Sequence, residues 1–125
     1  MRAHCLSLSL VAAAGLCGCR GGKLPLPYHP QVAGSPLRGQ AVIVQYRCGS
    51  CHIIPGIDNA NGLVGPPLTE FSRRTFIAGE VPNVPANLVH WVESPTSLKP
   101  ATAMPDLGLS QQQATDVVAY LETLR

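Results

Sequence analysis

The sequence predicts an all-α domain, about four short helices wrapped around one covalently bound prosthetic group. Three observations carry this prediction. Twelve prolines and twelve glycines in 125 residues divide the chain into short helices joined by turn-rich loops. Aromatic residues make up only 5%, so a core closed by side chains alone would be thin and calls for a staple or cofactor. The third is Cys48-Gly49-Ser50-Cys51-His52, which has the C-x-x-C-H spacing of c-type haem attachment. On one helical turn, two thiols three residues apart reach the two vinyl groups of a porphyrin edge. The histidine beside them is carried under the iron as its proximal ligand. A buried haem then supplies the missing apolar volume. The same five residues also allow half a zinc site, which needs a second Cys/His pair, or a thioredoxin-like dithiol, which needs a βαβ context.

Size and charge narrow the function. The chain holds one domain with a short tail to spare. A formal net charge of +2, with no basic run and no aromatic platform, gives no reason to expect a nucleic-acid partner.

Residues 1–18 read as a signal peptide. Met1-Arg2-Ala3-His4 is a short basic start, and the apolar run from Cys5 to Leu16 has the length of a signal core, too short to span a bilayer. Leu16-Cys17-Gly18-Cys19 resembles a bacterial lipobox. That resemblance implies cleavage before Cys19 and acylation of Cys19, and two or three acyl chains hold a protein to a membrane firmly. Ordinary secretion, with cleavage near Ala14 or Gly18, is the alternative. Either way the chain is exported, to the periplasmic side, where c-type haem is attached. Three cysteines then remain, each with a covalent use.

Residues 19–36 form a Pro- and Gly-rich tether that includes Pro25, Pro27, Pro30 and Pro36. At ~3.1 Å per residue it holds the domain up to roughly 50 Å from the membrane. Ser35-Pro36 is an N-cap followed by proline at the first helical position. The helix it opens is expected to run to about Arg47, with Leu37, Ala41, Val42 and Tyr46 on its buried face. After the Cys48–His52 turn comes a loop through Pro55-Gly56 and Asn59-Ala60-Asn61-Gly62.

Gly65-Pro66-Pro67-Leu68 is stiff, and a proximal histidine needs an acceptor for its other ring nitrogen. The Pro66 carbonyl is the candidate, a plain tight turn the alternative. Arg73 and Arg74 have the planar donor forks that suit haem propionates, or else are solvated surface charge. Pro85 opens a short helix, Asn87 to Ser94, with Leu88, Trp91 and Val92 on one face. Trp91 suits a wall of the haem pocket and equally an ordinary core. His90 is off that face. Met104 lies in the Pro- and turn-rich segment Lys99-Pro100-Ala101-Thr102-Ala103-Met104-Pro105 rather than on a periodic face, so it is a candidate distal ligand more than a core filler. The last helix is announced by a capping box, Ser110 with Gln113, and by an apolar face of Ala114, Val117, Val118, Leu121 and Leu124.

Taken in order, these motifs resemble a class I cytochrome c over roughly Leu37 to Arg125, the expected domain 37–125. Cys48, Cys51 and His52 match the family's haem-attachment motif. Gly65-Pro66 with Leu68 matches the segment whose proline carbonyl orients the proximal histidine. Arg73 falls near the propionate-binding arginine, Thr102 matches a threonine near a propionate, and Met104 matches the distal methionine. Asp116 to Leu121 matches the terminal helix that crosses the first one, with Gly39 expected at the crossing. The resemblance implies a cytochrome c fold holding one haem c between His52 and Met104, with Pro66, Arg73, Arg74, Trp91 and Thr102 around it. It implies an electron-transfer protein rather than an enzyme. The pattern from Pro82 to Leu88 looks like bacterial, oxidase-associated monohaem cytochromes. The expected partner is therefore a respiratory membrane complex, an oxidase or a quinol-oxidising complex, with electrons passing toward a terminal oxidase. The alternatives are a fixed haem subunit of an oxidase or dehydrogenase complex, and a haem enzyme or gas sensor, which two filled axial positions disfavour.

Overall fold

The computed structural model describes residues 32–125, so the expected signal peptide, the Cys19 anchor and most of the tether lie outside the described residues. Four helices dominate: α1 (Pro36–Gln45), α2 (Pro85–Glu93), α3 (Pro95–Leu98) and α4 (Gln111–Leu121). A two-residue antiparallel hairpin, β1 (Phe76–Ile77) with β2 (Val81–Pro82), and 3-10 turns at Cys48–Ser50 and Phe71–Arg73 complete the described elements. The all-α expectation holds. No helix among the described residues is long and apolar enough to cross a membrane.

Helix α1 starts where the sequence predicts. Ser35 Oγ accepts from the Arg38 N–H, and Pro36 occupies the first turn, where it loses no helical bond. Its buried face is Gly39, Val42 and Ile43, while Leu37 is 77% exposed and Ala41 is exposed. The expected burial of Leu37 and Ala41 is thus corrected. The physical reason is contact with α4: a Cβ on Gly39 would stand 2.0 Å from the Asp116 carbonyl oxygen, so only glycine admits this crossing, and the crossing fixes which face turns inward. Tyr46, one turn after Val42, is half-buried and donates to Gln113 Oε1 at 3.3 Å.

Helix α4 carries its full capping box, Gln113 N–H to Ser110 Oγ and Ser110 N–H to Gln113 Oε1. Ala114, Val117, Val118, Leu121 and Leu124 are all buried. So is Asp116, at 3% exposure, and the sequence pattern gives no sign of that. Its carboxylate accepts from the Ser35 N–H at 2.7 Å, from Arg38 Nε at 2.8 Å and Nη2 at 2.9 Å, and from Gln112 Nε2 at 3.2 Å. Helix α2 adds Leu88, Trp91 and Val92 against α4, as the spacing predicts, and Pro95 ends it. The Tyr120 hydroxyl donates to the Pro55 carbonyl at 2.6 Å and ties the first loop to α4.

Candidate functional site

The fold leaves a cavity of about 440 Å³ against the turn that follows α1. Arg47, at φ 55°, takes the left-handed conformation that ends the helix, and the chain tightens into a 3-10 turn. Both the Cys51 and His52 N–H groups donate to the Cys48 carbonyl, at 3.2 and 3.1 Å. This stacks Cys48, Cys51 and His52 within one turn, all three lining the cavity. The two thiols are free and half-buried. Burial pushes the Cys48 thiol up against an opposing backbone hydrogen bond, with Cys51 adding to the rise, so Cys48 stays protonated near neutral pH.

His52 Nδ1 donates to the Pro66 carbonyl at 2.7 Å. With Nδ1 carrying the proton, Nε2 is left with its lone pair, the form a metal requires. Gly65 makes this approach possible: a Cβ there would lie 2.3 to 2.8 Å from His52 ring atoms, and the Gly65 N–H is bonded to Cys51 O at 2.7 Å.

Met104 reaches the same cavity from the loop after α3. It is half-buried against the core, and its N–H donates to Thr102 Oγ1 at 3.2 Å. Thr102 also lines the cavity, as do Trp91 from α2 and Phe71 from the second 3-10 turn. A smaller recess of about 70 Å³, walled by Ile43, Ile54, Val117 and Leu121, touches both His52 and Met104. The floor is apolar and the donors are few, which suits a large flat hydrophobic group.

The two neighbouring arginines part company. Arg74 lines the cavity, donates to the Pro67 carbonyl and lies 5.2 Å over the Phe71 ring. Arg73 does not line it. Its Nη1 sits 2.8 Å from Glu70 Oε1 on the surface, so of the two arginines it is the one that faces outward in this structure. Arg73 is the last residue of the 3-10 turn, whereas Arg74 follows it in extended backbone (φ −74°, ψ 138°), so the two side chains leave the chain in different directions. Two cations that the sequence analysis did not single out, Arg47 and Lys99, join Arg74 in the lining, which contains no carboxylate. Arg47 was detectable only as the residue next to Cys48. Lys99 arrives through tertiary folding. Such a lining favours an anionic edge.

The residues therefore fit a haem c: paired thiols and an imidazole on one turn, a soft sulfur from a second segment, apolar walls and cationic donors for carboxylates. Among the described residues no group of three or more His, Cys, Asp or Glu could hold a metal ion, so the zinc alternative has no second half there. Residues 37–125 match the family described as Cytochrome c. The chain belongs to the cytochrome c family. Membership brings covalently attached haem and electron transfer with it. The domain is 34% identical over 89 residues to a cytochrome c oxidase subunit 2 of Alkalihalophilus pseudofirmus, covering 70% of this chain and 25% of that protein. It is 28% identical over 100 residues to the protein of the same name from Bacillus sp. strain PS3, covering 77% of this chain and 28% of that one. The chain thus spans only about a quarter of the length of these curated relatives.

Proposed function

We propose that this cytochrome c is a membrane-tethered monohaem carrier on the periplasmic side, passing single electrons toward a terminal oxidase. One observation carries the reading: His52, with Nδ1 committed to Pro66, and Met104, on a hydrogen-bonded loop, line the same apolar cavity. When bound, haem c supplies one-electron exchange between ferrous and ferric iron. The chain's residues do the rest. Cys48 and Cys51 would hold the group through thioethers, and His52 Nε2 and the Met104 sulfur would ligate its iron. Trp91, Arg74 and Thr102 line the same cavity, where Trp91 would pack beside the group and Arg74 and Thr102 would meet its propionates. A methionine sulfur favours the reduced state and raises the potential, which suits delivery to an oxidase. With His52 and Met104 both donating to the iron, oxygen or peroxide would find no free place to bind, which favours a carrier over a haem enzyme or gas sensor.

The direction of flow is supported by the relatives, which are named cytochrome c oxidase subunit 2. A second reading, a fixed subunit of an oxidase complex, is favoured by the similar segment forming only part of a longer subunit in both. In either, the lipobox-like Cys19 holds the domain near its membrane partner and raises the effective concentration.

Absorption spectroscopy of the oxidised holoprotein tests the central assignment. A weak far-red band of a sulfur–ferric bond is expected, and Met104→Ala should abolish it, lower the potential and admit carbon monoxide. Unchanged carbon monoxide binding in the variant would remove Met104 as ligand. Oxidation by oxidase-containing membranes then separates the two functional readings: a carrier freed from its anchor still turns over repeatedly, whereas a subunit co-purifies in fixed ratio.

A further inference from the structure

The cavity has two lips from different parts of the chain, and one side chain joins them. The first lip is the β1–β2 hairpin, with Ile77 buried beneath it and Phe76 and Ala78 lining the cavity. The second is the loop that bears Met104. Lys99 stands at the base of this loop. Its N–H donates to Pro95 O at 2.9 Å, closing α3, and its carbonyl accepts from the Thr102 N–H at 2.9 Å. Thr102 Oγ1 in turn accepts from the Met104 N–H. From the same residue the ammonium crosses to the hairpin, donating to Ala78 O at 3.1 Å and standing 3.1 Å from Glu80 Oε1. Ala78 is held at φ 51°, a conformation uncommon for a residue with a side chain.

We infer that Lys99 is a positioning residue for Met104, a latch that ties the Met104 loop to the hairpin and keeps the sulfur in place against competing ligands. The inference rests on the reading of Met104 as distal ligand. Asp106, two residues after Met104, fastens the far end of the loop to α3 by accepting from the Thr96 N–H at 3.2 Å and from the Thr96 hydroxyl, and a tie to a second element, the hairpin, raises the cost of local opening further. The ion pair to Glu80 is exposed and adds little. The ammonium bond to a main-chain carbonyl adds more, and losing both should speed loop opening by about tenfold.

The test uses the ferric holoprotein with imidazole as the entering ligand, followed at the far-red band, together with amide hydrogen exchange. Lys99→Met keeps the aliphatic stem and removes both contacts. It should speed imidazole entry about tenfold and speed exchange at the Thr102 and Met104 amides, leaving α1 and α4 unchanged. Lys99→Arg should restore wild-type behaviour, and Glu80→Gln should give a smaller change in the same direction. Entry and loop exchange within about twofold of wild type in Lys99→Met would overturn the latch. So would a rise shared equally by α1 and α4, since Lys99 would then be a general structural contact. A wild-type spectrum without the far-red band would sink the ligand assignment instead, and amide exchange would still decide the latch.

Discussion

Arg38 grips Asp116 with two nitrogens, Nε at 2.8 Å and Nη2 at 2.9 Å, across 78 residues of sequence. Asp116 is the buried partner, and it also accepts the N–H of Ser35, the N-cap of α1. The first and last helices are therefore fastened by one carboxylate as well as by the Gly39 crossing. The Arg38 side chain is 62% exposed, so solvent screens the pair, and the main-chain bond to Ser35 carries much of the effect.

Asp116→Ala should cost roughly 1–2 kcal/mol, because a main-chain donor and a guanidinium lose their acceptor. Urea unfolding of the holoprotein reads this directly. A midpoint equal to that of the parent would mean that the crossing needs no clasp.

The same residue sets an acid limit. The Arg38 hydrogen bond, with help from the Ser35 N–H, holds the Asp116 carboxyl below the usual carboxylate range, while burial opposes it. A depressed native value means that the stabilisation is fully present above the unfolded carboxylate range. It is lost as pH falls through the native value. Asp116→Asn should flatten that part of the stability–pH curve. An unaltered acid slope would assign the loss to other groups.

Gly65→Ala should displace His52, since the new methyl would overlap the ring. The expected result is less haem-loaded protein and loss of the bond to Pro66. Haem staining of the purified protein and the chemical shift of the ring N–H would show it. Normal loading would mean that the 65–67 segment shifts to accommodate a side chain.

Arg74→Gln should lower the haem potential by some tens of millivolts, because a cation in the cavity lining favours the less positive ferrous state. Arg73→Gln should leave it unchanged, as that guanidinium already pairs with Glu70 outside the cavity. Equal shifts in the two variants, measured by redox titration, would contradict this division.

Cys19→Ser should move the protein from the membrane fraction to the soluble one if residues 16–19 are read as a lipobox. An unchanged distribution would assign membrane retention to a partner subunit.

The parts of this fold that were legible in the sequence are those determined locally. The capping box at Ser110, the proline starts of α1 and α2, and the 88/91/92 face all follow from neighbouring residues. So does the Cys48–His52 turn, and Pro66 is close enough in sequence to supply the His52 acceptor. What was hidden depends on distant partners. Leu37 looks like a core residue until α4 selects the other face of α1. Asp116 looks like a surface residue of an amphipathic helix until Ser35 and Arg38 arrive. The hairpin has two residues per strand, too few for alternation to register, and so Lys99 had no visible partner. Arg73 and Arg74 are chemically identical, and only the backbone distinguishes them, Arg73 ending the 3-10 turn and Arg74 standing extended just after it.

The crossing of α1 over α4 also sets an order of events. Helix α1 ends at the cysteine turn, yet the surface that steadies it belongs to the last helix of the domain. While the chain is being made, its cysteines are ready long before their scaffold exists, and the long-range pairing comes late. Loss of Gln111–Arg125 would thus leave an intact haem-attachment sequence on a chain unable to close around its cofactor.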